Sequence, residues 1–181
     1  MKDSFYIMRS DFVERGLHDL IDHIDAISPV SEMSLLEIGS YTGESTTIFA
    51  NRFKDVTSID PFVDDYDPND DACKYAPFEK VCEKFKERTK DFKNIKHIRK
   101  TSDEAFPKLK TKFDVIYIDG LHTYEQVLKD ITNYKKLLKP SGFMSGHDYS
   151  VENWGGVVRA VLETIGEPDK TFQDTSWLKC I

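Results

Sequence analysis

The stretch Leu35-Leu36-Glu37-Ile38-Gly39-Ser40-Tyr41-Thr42-Gly43-Glu44-Ser45 constrains this chain more than any other. Its apolar start reads as a buried strand, its two glycines as a tight turn, and the residues from Glu44 to Phe53 as the helix that follows. A glycine has no Cβ, so the backbone can bend sharply there and a ligand can approach the main chain. A strand that turns into a helix must cross over the sheet before the next strand, which builds parallel sheet.

The rest of the chain repeats that unit. A helix with apolar residues at helical spacing is expected from Asp11 to about Ile27, ended by Ser28-Pro29. Further strands are expected at Val56–Ile59, Ile95–Ile98, Phe113–Ile118 and Phe143–Ser145. Helices are expected from Phe78 to about Phe92, briefly from Ser102 to a stop at Pro107, from Tyr124 to Leu138, and from Gly156 to Ile165. Lys139-Pro140-Ser141-Gly142 reads as a helix stop, and short strands fall around Phe172 and Trp177-Leu178. The alternation implies an α/β fold, one sheet with helices on both faces.

At 181 residues the chain fits one domain, with an N-terminal helical segment over 1–30 and an acidic loop over 61–77. The formal charge of −7 argues against a broad nucleic-acid surface, which needs Lys and Arg to neutralise phosphates. No apolar run reaches the roughly 20 residues of a membrane helix, and the N-terminus lacks the apolar run and cleavage site of a signal peptide. Cys73, Cys82 and Cys180 form no metal or disulfide pattern, and their odd number fits a reducing compartment. A cytoplasmic location is the expectation.

Asp60 stands 21 residues after Gly39, at the end of the next strand, where an acid can accept hydrogen bonds from a ribose. A dinucleotide site would need glycine at positions 41 and 44, which hold Tyr41 and Glu44, and Glu44 would set negative charge beside a phosphate. A phosphate loop would need Gly-Lys-Ser or Gly-Lys-Thr, and neither occurs. A ligand with adenine and ribose but no phosphate suits these residues better. S-adenosylmethionine is such a ligand, and Glu37 is a candidate for holding its ammonium end.

This segment resembles motif I of the class I S-adenosylmethionine-dependent methyltransferases, and Thr57-Ser58-Ile59-Asp60 is similar to their acidic second motif. Phe113-Asp114-Val115-Ile116-Tyr117-Ile118-Asp119-Gly120-Leu121-His122-Thr123-Tyr124-Glu125, with Val127, Asp130 and Leu137 to Gly142, resembles the subgroup that includes O-methyltransferases of small molecules and sugars. Gly146-His147-Asp148-Tyr149, the helix from Gly156 and Thr175-Ser176-Trp177 extend the likeness over residues 33–180. Tyr41 departs from it, standing where many class I enzymes have glycine. The resemblance implies a Rossmann-like doubly wound sheet, mostly parallel with an antiparallel last strand. It implies that Gly39, Ser40, Tyr41, Gly43, Ser45, Asp60, Phe62, Ser102, Asp103 and Asp119 surround the cofactor, with Ser102 and Asp103 near adenine and Phe62 packed on adenine or ribose.

For the chemistry, Asp119 and Asp148 end two strands expected to be neighbours. They could hold a divalent cation such as Mg²⁺, with His147 as a further donor, since carboxylate oxygens suit a hard ion. Alternatively His122 serves as the general base, its ordinary pKa lying near neutrality. The acidic loop is either a lid or a solvated surface, and Tyr66, Tyr75 and Trp154 are candidate walls of an acceptor pocket. The partner expected is a small-molecule acceptor, and a chain this short could borrow a second copy to cap its site. Two rivals stand beside this reading: a non-catalytic nucleoside- or protein-binding module on the same fold, and a NAD-dependent oxidoreductase, which the glycine spacing disfavours.

Overall fold

A computed structural model describes residues 9–67 and 77–181. Among the described residues seven strands form one sheet: β1 (Ser34–Ile38), β2 (Asp55–Ile59), β3 (Ile95–Ile98), β4 (Phe113–Ile118), β5 (Leu138–Gly146), β6 (Lys170–Thr171) and β7 (Trp177–Cys180). Their order is β3-β2-β1-β4-β5-β7-β6, parallel from β3 to β5, with β7 antiparallel to both of its neighbours. The fold is therefore the Rossmann-like, mostly parallel sheet expected, with its reversed last strand.

The register explains how both faces are covered. Leu35 pairs with Val115, which pairs with Phe143, and these point to one side. There they meet Leu17, Leu20, Ile21 and Ile24 of α1 (Asp11–Asp25), and Phe49 of α2 (Glu44–Arg52). Leu36, Ile116 and Met144 point the other way. They meet Val127 and Ile131 of α5 (Tyr124–Tyr134), and Val157, Ala160 and Val161 of α6 (Val151–Ile165). Alternation along each strand sends successive residues to opposite helical layers, so a continuous apolar run is the pattern such strands need. A third cluster joins Phe62 to Phe78, Val81, Cys82 and Phe85, the last four from α3 (Phe78–Thr89). The short α4 (Ser102–Ala105) is fixed by a capping box between Thr101 and Glu104.

Two elements differ from expectation. Leu138 is expected to end a helix and Lys139 to Gly142 to stop it, yet together they are the first half of β5. The helix ends at Tyr134, and Leu138 then pairs with Phe113 across a register shift. That irregularity accommodates Pro140 and the left-handed backbone of Ser141 (φ 60°). Helix α6 starts at Val151 rather than Gly156, with a kink at Trp154 (φ −133°, ψ 51°). Among the described residues no helix is long and apolar enough to cross a membrane. Cys82 is buried and Cys180 exposed, both free, while Cys73 lies outside the described residues.

Candidate functional site

The turn after β1 is built by left-handed backbone. Gly39 (φ 86°), Tyr41 (φ 45°) and Gly43 (φ 82°) all lie in that region. A Cβ on Gly39 would come within 1.9 Å of the Asp119 carbonyl oxygen, so the end of β1 can lie against the end of β4 only with glycine there. Gly43 caps α2, and a Cβ on it would press against the Phe85 ring. Asp60, at the end of β2, holds this turn. Its Oδ2 accepts the backbone N–H of Ser40 (3.0 Å) and Tyr41 (2.9 Å), and its Oδ1 accepts that of Phe62 (2.8 Å). Burial pushes the Asp60 pKa up, against the pull of those three amides. A carboxylate offers about four acceptor positions, so roughly one remains for a ligand. Beside it the Ser40 hydroxyl is buried without a hydrogen-bond partner.

A cavity of about 370 Å³ opens across the carboxyl ends of the strands, where open α/β sheets take their ligands. Among the residues expected to surround a cofactor, Gly39, Ser40, Tyr41, Ser45, Asp60, Ser102 and Asp119 line it. The other four stand outside its lining. Glu37 is fully buried behind the turn, where the hydroxyls of Ser45 and Thr46 both donate to it at 2.5 Å. Burial pushes its pKa up to about 7, against those two hydrogen bonds. Gly43 faces Phe85. Phe62 packs between Phe85 and His97 on the far side of the loop, because the left-handed backbone at Phe62 (φ 49°) turns its ring inward. Asp103 points outward to Lys129 at 2.6 Å.

At the β4 and β5 end the charges are dense. Asp119 pairs through Oδ2 with Arg9 at 2.9 Å, and the Arg9 backbone N–H donates to Glu44. Burial works against the Arg9 charge, but Tyr117 and Asp119 more than offset it and raise its pKa further. His122 lies between two carboxylates, Nδ1 at 3.1 Å from Asp67 and Nε2 at 2.9 Å from Asp148, and its ring lies over Trp154 with centroids 4.4 Å apart. Burial would lower its pKa, yet Asp148 and Asp67 lift it to about 10. Burial opposes ionisation of Asp148 too, and His122 with His147 nonetheless holds its carboxyl well below the usual range. With both nitrogens donating, His122 is a cation here. To accept a proton as a base it would first have to release one carboxylate.

Asp119, His122 and Asp148 each offer a ligand atom within 4.8 Å of the others. The two carboxylates fit a divalent ion, and the imidazole could join them only on releasing Asp67 or Asp148 and a proton. His147, expected as a further donor, lines the same cavity, its Nδ1 3.2 Å from Asp148 and 3.9 Å from Asp119 and its Nε2 3.8 Å from Asp174.

Sequence reasoning missed Arg9, Asp67 and the full weight of Asp130, all of which line the cavity. Arg9 stands alone in a stretch without pattern, and Asp67 is one acid among several in its loop. Asp130 carried a legible signal, one helical turn after Gln126, without a role attached. Tyr66 and Trp154 line the cavity as candidate walls, whereas Tyr75 lies outside the described residues, as does the acidic loop from 68 to 76.

Residues 36–149 match the model of a family described as a methyltransferase domain. The chain belongs to this methyltransferase family. Solved structures with the same fold include the N-methyltransferase NodS from Bradyrhizobium japonicum bound to S-adenosyl-L-homocysteine. It is 21% identical, with a TM-score of 0.59, over 92% of this methyltransferase and 84% of that chain. A calicheamicin methyltransferase is similar with a TM-score of 0.66 and 14% identity, over 96% and 80% of the two chains. An uncharacterised protein of Acanthamoeba polyphaga mimivirus is 29% identical over 145 residues. The match takes in 74% of this chain and spans 59% of that relative's length.

Proposed function

We propose that this methyltransferase takes its methyl group from S-adenosylmethionine and transfers it to an oxygen of a small molecule or sugar, with a divalent cation held by Asp119 and Asp148. The observation that carries the reading is one cavity with a polar corner at Asp60 and Ser40 and a charged trio, Asp119, His122 and Asp148, along the same lining.

The sheet order supports a direction for the donor. Along the sheet edge, Asp60 follows β2, Gly39 follows β1, Asp119 follows β4 and Asp148 lies beyond β5. A ribose on the free acceptor position of Asp60 and on Ser40 leaves the sulfonium-bearing tail to cross Gly39 towards Asp119. The close approach of β1 and β4 keeps side chains out of that path. In the transfer, an acceptor oxygen attacks the methyl carbon in line while the carbon–sulfur bond breaks and its electron pair returns to sulfur. The chain must align the two partners and take the acceptor's proton.

Asp119 faces the cavity at the end of β4, and its Oδ1, the oxygen not paired with Arg9, is the one that can take that proton in the ion-free site. His122 has no free lone pair while Asp67 and Asp148 hold both its nitrogens. A bound divalent cation would supply a lowered hydroxyl pKa and a fixed acceptor position. Trp154 and Tyr66 give the cavity apolar walls that exclude water from the reacting atoms.

Calorimetry with S-adenosylmethionine, S-adenosylhomocysteine and NAD tests the donor, and labelled-methyl transfer to a panel of phenols, sugars and amines, with and without Mg²⁺, tests the acceptor. Binding of the two sulfur nucleosides alone, with labelled ether products, is expected. Binding of NAD instead would overturn the donor. Tight binding of the sulfur nucleosides with no product from any acceptor would favour a non-catalytic module.

A further inference from the structure

Arg9 stands just ahead of α1, and its side chain, 8% exposed, forms part of the cavity lining. Three contacts hold it there. Its Nη2 lies 2.9 Å from Asp119 Oδ2 and donates at 3.4 Å to the Tyr117 hydroxyl. Its backbone N–H donates to Glu44 Oε2 at 3.0 Å. Val13, in the first turn of α1, lines the same cavity. Residues 9–13 thus form a strap tied to the start of α2 and to the end of β4.

The strap is held, but incompletely. Arg9 Nη1 is buried without a hydrogen-bond partner, and a buried donor left unsatisfied carries a cost that water would remove. The helix turn behind it adds little, since the N-cap Ser10 makes no side-chain cap hydrogen bond and Phe12 is half exposed. Among the described residues Asp119 is the carboxylate with which the guanidinium forms an ion pair. The tie therefore depends on a negative charge for which the site has a second use.

A divalent ion on Asp119 and Asp148 would share the Asp119 carboxylate with Arg9. One negative charge would then stand between a single and a double positive charge, in a cavity where such repulsion is poorly screened. His122 and His147 face the same acids, at 2.9 Å and 3.2 Å from Asp148. An imidazole can answer an incoming cation by giving up a proton, and a guanidinium cannot. The Arg9 charge leaves the site only if the side chain leaves it.

We infer that Arg9 is the resident cation of the ion-free site, and that loading a divalent ion on Asp119 and Asp148 expels it and frees the strap 9–13. Because the strap walls the cavity, ion loading and the opening of that wall are one event. The inference rests on the metal reading above, and the experiment separates the two.

The probe is Mn²⁺ alone, titrated into the full chain while electron paramagnetic resonance follows the free ion. Arg9→Gln, which removes the charge, should bind Mn²⁺ at least about tenfold more tightly than the unmodified chain. Arg9→Lys, which keeps the charge, should stay within about threefold of it. Limited trypsin digestion reads the strap itself in the unmodified chain. Saturating Mn²⁺ should speed cleavage after Arg9 at least about fivefold relative to cleavage after the exposed Lys93. If Arg9→Gln proves unfolded by circular dichroism, the digestion decides alone. Weaker Mn²⁺ binding by Arg9→Gln would mark Arg9 as a support of the site and overturn the inference. So would an unchanged affinity, or cleavage after Arg9 that Mn²⁺ does not alter; in each of these cases the ion still binds and the metal reading stands. No Mn²⁺ binding by either chain, or binding that survives Asp148→Asn, would overturn the metal reading and this inference with it.

Discussion

The Asp60 carboxylate accepts the backbone N–H of Tyr41 at 2.9 Å, and Tyr41 holds a left-handed backbone at φ 45°. An acid at the end of one strand thus fixes the turn that follows the neighbouring strand, and the same group borders the cavity. Shape and recognition are coupled at this residue. Asp60→Ala should leave three amides without their acceptor and cost about 2–4 kcal/mol of stability. Urea denaturation measures that loss, and calorimetry should show affinity for S-adenosylhomocysteine falling more than about tenfold. Unchanged stability would mean that the turn stands without its acid.

Gly39 supports a second expectation. A methyl group there meets the Asp119 carbonyl at 1.9 Å, and the contact is backbone on both sides, so neither can yield cheaply. Gly39→Ala should cost more than about 3 kcal/mol or prevent folding. Gly155 is the contrast, since a Cβ at that position in α6 meets nothing within 4 Å. Gly155→Ala should raise stability by about 0.5–1 kcal/mol, read from the denaturation midpoint.

Buried Glu37 and half-buried His97 tilt stability with pH in opposite directions. Burial raises Glu37 to about 7, so the folded chain keeps a proton that the unfolded chain gives up, and stability falls as pH rises from about 4.5 to about 7. His97, packed against Phe62 and Phe85 with both ring nitrogens unpartnered, is lowered to about 4 by burial and then by Arg99 and Lys86. Its contribution is present above about 6.5 and is lost as pH falls towards 4. Compared with the unmodified chain, Glu37→Gln should gain relative stability as pH rises through that window. His97→Phe should gain it as pH falls. Melting curves at pH 5, 6 and 7.5 check both, and identical differences at all three values would contradict the assignments.

The carboxylates Asp119 and Asp148 should respond to metal. Mn²⁺ or Mg²⁺ at about a hundred times its dissociation constant should stabilise the fold by about 2.7 kcal/mol. Chelation should remove the gain, and Asp148→Asn should abolish it while leaving the ion-free chain folded. Melting curves unmoved by millimolar amounts of either ion would contradict a metal role.

Much of this was legible in the sequence where one local pattern decided the outcome. The apolar run before Gly39 could only be a buried strand, and Asp60 stood at the distance one crossover requires. The register of helices and strands followed from unbroken apolar runs that need cover on both faces. What local pattern could not carry was side-chain direction. Glu37 sits one pleat from the cavity, yet its neighbours Ser45 and Thr46 draw it inward. Phe62 follows Asp60 in sequence, but a left-handed backbone turns it away. Lys139 to Gly142 have the composition of a helix stop, and only pairing with β4 makes them strand. Arg9 reaches Asp119 across 110 residues of chain, a distance no local pattern spans.

A crystal structure of the chain with S-adenosylhomocysteine tests the central claim most directly. The account predicts the ribose hydroxyls on Asp60 and Ser40, the amino-acid tail passing Gly39 towards Asp119, and the base beside Ser102. A ligand bound elsewhere on the surface, or a corner closed by protein side chains with no nucleoside in it, would contradict the account.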